Sequence, residues 1–308
     1  MYCWRKLRDR RASSRLLVAT CALVAGLLTL EGVGVAQRAS ERRVANPGET
    51  QSDIQVLRPA GGPVIPIFEG WYENPDGTYE LSFGYFNVNT EEVLEIPLGR
   101  ENFIEPVEFD GRQPTRFHPV PEGGRRHWGV FTVTVPPDFG DRDVIWTIES
   151  NGQTLSVPGR LTRAPYQLAG WEFPGRTSVA PLLRWEHDGP VGRGAAGVTG
   201  PPLDATVGVP QAISVWTTRD PSAPDDERSI NLRWFTHQGA GAVTFGEQTH
   251  EVDAEAWAEP RQWTEVMSEV TFSEPGDYLL RVLAFNVVRE FEFQCCWTNG
   301  FVSVTVAP

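Results

Sequence analysis

The residues best placed for chemistry are two adjacent cysteines, Cys295 and Cys296. They stand in the stretch FQCCWTNG (293–300), just before the last strand-like run of the chain. Adjacent Cα atoms lie about 3.8 Å apart, short of the usual disulfide span of about 4.4–6.8 Å. A vicinal disulfide here requires a distorted peptide and would stiffen a tight turn. The alternatives are free or buried thiols, an intermolecular bond, or a metal site, and two adjacent thiolates need further ligands to hold a metal. The stretch falls between YLLRVLAF (278–285) and FVSVTV (301–306), and Asn299-Gly300 supplies turn chemistry. It therefore reads as a rigidified loop presenting Trp297.

Other signatures of catalysis are missing from the sequence. There is no Gly-x-Ser-x-Gly elbow, His-Glu-x-x-His pair, phosphate-binding loop or Cys-x-x-Cys. No catalytic, cofactor-binding or metal-binding residue is assigned, and no cofactor is expected. His118, His127, His187, His237 and His250 have no ligand spacing and read as surface or loop residues. Paired carboxylates could hydrolyse a glycoside, but spacing alone selects no pair. Asn74, Asp76, Gly77 and Glu80 have the oxygen ligands a calcium loop would need. A hairpin turn at Asn74-Pro75-Asp76-Gly77 explains the same residues, since Pro75 presets one dihedral and Gly77 accepts positive φ. Asp220, Asp225, Asp226 and Glu227 read as a solvated acidic loop, with a calcium site between domains as the alternative.

Aromatic residues carry the stronger hint. Tryptophan faces stack on sugar rings or peptide prolines at low entropic cost. Trp71, Tyr72, Trp257, Trp263 and Trp297 lie near turns or loops in the sequence pattern and are the candidate ligand-contacting aromatics. Most tryptophans in such a chain serve as core or interface residues.

Elements that would position these residues follow from hydrophobic periodicity. Residues 1–36 read as a secretory signal, with a basic start, the apolar run LLVATCALVAGLLTL (16–30) and small residues at 34–36. Retention as an anchor is the alternative. Cleavage would remove six of the 27 basic and two of the 40 acidic residues, taking the net charge from −13 to about −17. Such a charge disfavours nucleic acid and anionic membranes as partners. Cys295 and Cys296 would be the remaining thiols, in an oxidising compartment. Secreted or periplasmic location is expected, with no membrane span after cleavage. The sequence does not determine the oligomeric state.

Residues 37–62 read as a flexible spacer. Residues 63–160 and 204–308 read as two antiparallel β-sandwich domains, and 161–203 as a Pro/Gly-rich docked linker. In the first region, Tyr79, Leu81, Phe83 and Tyr85 alternate with Glu80, Ser82 and Gly84, so a strand puts the aromatics on one face. Asn151-Gly152 between two β-rich runs is a strong hairpin signal. The second region contains FSEPGDYLLRV (272–282), which resembles the E–F corner and F strand of immunoglobulin-like and PKD-like sandwiches of exported bacterial proteins. The resemblance implies a corner role for Tyr278, whose hydroxyl would return to the backbone, and a core position for Trp234. Leu280 stands where antibody domains carry a cysteine, so apolar packing must hold the sheets together. The Trp-Asp-Phe-Gly-Asp-Gly-like run of PKD repeats is missing.

The fold expected is all-β: two antiparallel sandwiches, the second immunoglobulin-like. The expected role is that of an exported, non-enzymatic accessory, adhesion or ligand-binding protein of the bacterial envelope. It would bind a glycan or an envelope protein through loops and the domain junction. The alternatives are a carbohydrate-active hydrolase and a purely structural envelope component.

Overall fold

A computed structural model describes residues 57–120, 126–161, 166–168, 179–223, 229–253, 262–286 and 297–308. The signal, most of the spacer, Cys295, Cys296, Trp257 and Asp225 to Glu227 lie outside the described residues. The chain is all-β and built from antiparallel sheets that form two sandwiches, the second immunoglobulin-like. Residues Val56–Pro308 cluster as one compact unit.

The first half supplies β1 (Val64–Glu73), β2 (Tyr79–Asn87), β3 (Leu94–Glu95), β4 (Asn102–Glu105), β5 (Arg116–Phe117), β6 (His127–Val135), β7 (Val144–Ser150) and β8 (Gln153–Gly159). Sheets β1-β2-β6 and β4-β7-β8 enclose one core, and β3 pairs with β5 beside them. Leu81, Phe83 and Tyr85 point into this core, and Phe83 stacks on Phe131 at 5.4 Å. The expected alternation of β2 therefore holds. Its turns hold as well: Gly77 has φ +83°, and Asn151 and Gly152 have φ +47° and +73°, as a tight two-residue hairpin requires.

The second half adds β9 (Leu182–Arg184), β10 (Val198–Thr199), β11 (Leu203–Thr206), β12 (Gln211–Thr218), β13 (Ser229–Gln238), β14 (Val243–Phe245), β15 (Thr249–Asp253), β16 (Thr264–Phe272), β17 (Gly276–Asn286) and β18 (Trp297–Ala307). Sheet β10-β18-β17-β13-β15 faces sheet β14-β16-β12-β9, and β11 runs parallel to β18. The Pro/Gly-rich stretch thus contributes β9, β10 and the start of β11 as edge strands, and Trp185 packs into the second core. Edges suit such residues, because an edge strand need not donate every ladder bond.

Trp234 is fully buried in this core beside Leu280, Ile213 and Val215. Tyr278 Oη donates to the carbonyl of Glu274 at 2.9 Å, the corner bond implied by the resemblance.

Strand β2 and the middle of β17 are buried on both faces. Beyond Leu81 and Phe83, the polar side of β2 is also covered: Glu80 and Ser82 are buried. On β17, Leu280, Val282 and Ala284 face the second core, while Arg281 on the opposite face is 2 % exposed. A third apolar cluster joins Tyr72 and Trp128 of the first half to Trp297, Leu283 and Phe285 of the second.

Candidate functional site

Polar groups are concentrated where the two sandwiches meet. His118 Nε2 lies 3.0 Å from the carbonyl oxygen of Thr236 on β13. His237 Nε2 returns the contact, 2.8 Å from the carbonyl of Arg112. His127 Nε2 lies 2.8 Å from the Pro119 carbonyl, its ring stacked on Tyr85 at 4.6 Å and edge-on to Phe235 at 5.6 Å. A carbonyl only accepts, so each contact requires a proton on Nε2. Burial pushes the imidazoles far down, His118 to about 4 and His127 and His237 to about 3. The expectation that these three are surface or loop histidines is corrected: His127 and His237 are buried and His118 is half-buried, because the face they occupy is the interface between the sandwiches. His187 is exposed.

Arg281 is the buried cation among them. Its Nη1 donates to Asn299 Oδ1 at 3.2 Å, and its guanidinium lies 4.7 Å from the Phe235 ring centre. Burial lowers its pKa to about 10, opposed by Tyr85 and Glu69. Asn299 spends its amide donors on the carbonyls of Gly129 at 2.6 Å and Ala195 at 2.7 Å. Glu69 accepts from the Gly129 N–H at 2.5 Å and stands 3.9 Å from Arg126. Burial raises its carboxyl to about 7 despite these partners.

Irregular pairing aims these groups at the junction. Register shifts occur in β1 at Glu69, between β2 and β6 beyond Phe83, and in β13 at His237. A bulge inserts an unpaired residue and re-aims its side chain. Glycines make the fit feasible: a Cβ on Gly84 would lie 2.3 Å from the His127 carbonyl oxygen and 2.4 Å from Glu69 Oε1. Further bonds cross the seam, including Arg116 Nη1 to the Gly241 carbonyl, Gln238 Nε2 to the Gln113 carbonyl and the Ala196 N–H to Tyr72 Oη.

Several predicted aromatics belong to this packing. Trp297 lies within β18, is 8 % exposed and presses on Gly129, which corrects its expected presentation in a loop. Tyr72 is likewise buried inside β1. Trp71 is half-buried against the first core, edge-on to Tyr79 at 5.7 Å. Asp220, expected in a solvated loop, is buried, ion-paired with Arg193 and accepts from the Ser222 N–H and hydroxyl.

Trp263 stands elsewhere, just before β16 on the outer face of the second sandwich. Arg184 and Trp216 are directly opposite across β9 and β12, and Trp216 is opposite Glu265 across β12 and β16. Val215 and Val266 fill the core, so alternation turns this row outward. The Arg184 guanidinium lies 4.0 Å from the Trp263 ring centre and 5.9 Å from that of Trp216. His187 meets Trp216 edge-on at 5.1 Å. Arg184 Nε has no hydrogen-bond partner among the described residues, and Met267 on the same face is 68 % exposed. Trp263 was legible from the sequence; Arg184 and Trp216 were not, because strand register brings them to it.

No family model and no curated protein matches the chain. Among solved structures it is similar to an ASH/PapD-like domain of human CEP192, with TM-score 0.28 and 8% identity, covering 44% of this chain and 91% of that one. It is also similar to the D0-D1 domain of intimin, with TM-score 0.22 and 9% identity, covering 79% and 97%. A third likeness is to CfaE, the adhesive subunit of the CFA/I fimbria of enterotoxigenic Escherichia coli, with TM-score 0.23 and 7% identity, covering 84% and 90%. Likenesses this distant carry no conclusion about what the chain binds. Among the described residues, no helix is long and apolar enough to cross a membrane.

Proposed function

We propose that this chain is an exported, non-enzymatic adhesion or accessory protein of the bacterial envelope that binds glycan through the outer face of its second sandwich. The observation that carries the reading is the pair Trp216 and Trp263 on the outer face, with buried Arg184 packed against both rings. Tryptophan rings offer flat apolar area for the C–H faces of a sugar. Exposed Glu265 beside them offers acceptors for hydroxyl groups, while buried Arg184 backs the rings.

A glycan array with the purified chain tests the reading. Binding should appear and fall about tenfold in Trp216→Ala and in Trp263→Ala, as expected for losing one stacked ring worth about 1.4 kcal/mol. A blank array, with one stoichiometric protein recovered from envelope extract, would instead support a structural role.

A further inference from the structure

We infer that the junction is an acid-sensitive latch: protonation of His118, His127 and His237 releases the two sandwiches from each other while each keeps its own fold. This inference is independent of the glycan reading. The three rings sit against aromatic side chains at the junction: His118 and His127 lie edge-on to Phe235 at 5.5 and 5.6 Å, and His237 lies edge-on to Phe301 at 5.4 Å. His118 and His237 each reach a backbone carbonyl of the opposite sandwich, and His127 lies between Tyr85 of one half and Phe235 of the other. A proton added to buried His127 or His237, or to half-buried His118, makes a cation that water solvates poorly.

The charged surroundings make that cation costly. Arg281 of β17 acts on all three rings, and Arg116 of β5 acts on His118. His118 also opposes the charging of the other two. Tyr85 of β2 faces Arg281 and stays neutral, because burial raises its pKa. Glu69 of β1, beside Arg126, is the carboxylate acting on Arg281. Glu69 takes up its own proton near neutrality, so a more acidic medium leaves Arg281 without that counter-charge. Glu69 titration alone favours the closed state on acidification, because its carboxyl is easier to protonate when buried. The imidazoles oppose it in greater number. Exposed rings accept protons readily, so the open state gains protons as pH falls.

Small-angle scattering and far-ultraviolet circular dichroism on the purified chain, titrated from pH 7.5 to 4, test the latch. The radius of gyration should rise reversibly below about pH 6, near the free imidazole value, while the strand signal persists. His118→Gln, His127→Gln and His237→Gln keep a donor for each carbonyl without a titrating ring. Each single variant should open at lower pH and take up about one proton fewer on opening. His187→Gln, on the exposed surface, should leave the midpoint unchanged. A constant radius down to pH 4 overturns the inference. So does loss of strand signal together with expansion, or a midpoint unmoved in all three glutamine variants.

Discussion

Asn299 shows how much one side chain can hold. It joins Arg281 to the carbonyls of Gly129 and Ala195 in a buried setting. Replacing it by alanine leaves two carbonyls and a guanidinium without these partners. Each unsatisfied buried group costs about 1–3 kcal/mol, so Asn299→Ala should lose roughly 3 kcal/mol or more in urea unfolding. Tyr278→Phe is a milder case. It removes the bond to the Glu274 carbonyl while keeping the ring against Phe272, 4.8 Å away. A loss of about 1 kcal/mol is expected, with an unchanged denaturant slope because the core stays packed.

Strands here are defined as much by their interruptions as by their alternation. The bulge at Glu69 moves the inward parity of β1 from Val64 and Phe68 to Trp71. The β6 irregularity places Gly129 at φ +48° under the Trp297 indole. A Cβ there would meet Trp297 Nε1 at 2.1 Å. Gly129→Ala should therefore cost about 1–3 kcal/mol through overpacking. The damage should concentrate at the seam, read as faster amide exchange along β6 and β18 relative to β7 and β12. Uniform exchange changes across all four strands would contradict this placement. The sequence showed the apolar alternation of β2, β6 and β17 clearly. It did not show where the ladder slips, since a bulge adds one residue without a distinctive residue type.

At the scale of the molecule, the buried titratable groups set the response to pH. His118, His127 and His237 have folded values of about 4, 3 and 3, below the ordinary imidazole value of about 6.5. Their contribution is whole above about pH 6.5 and is lost as pH falls toward those folded values. Each imidazole contributes a slope of about 1.4 kcal/mol per pH unit. Glu69, raised to about 7, acts in the opposite sense: its contribution is whole below its unfolded value and is lost as pH rises toward 7. Three groups against one make the chain acid-labile between about pH 6 and 4.5. Replacing all three histidines by glutamine should reverse the slope, leaving stability that rises as pH falls from 7 to 5. Urea midpoints across that range measure it, and a slope of unchanged sign would refute the assignment.

Local chemistry in the sequence determined much of the fold. Alternating aromatics, Asn-Gly and Pro-Asp-Gly turns, and the corner run around Tyr278 specify strands and hairpins through contacts between near neighbours. Those features led to two sandwiches and to Trp234 in the second core. Tertiary structure alone decided what lies on the far face of each inner sheet. A polar residue opposite a core usually meets water, yet Glu80, Ser82 and Arg281 are buried. Here it meets another sheet, and the pairing of residues more than a hundred positions apart turns scattered histidines into one buried cluster. The same long-range register sets Arg184 beside Trp216 and Trp263, a neighbourhood no spacing along the chain reveals.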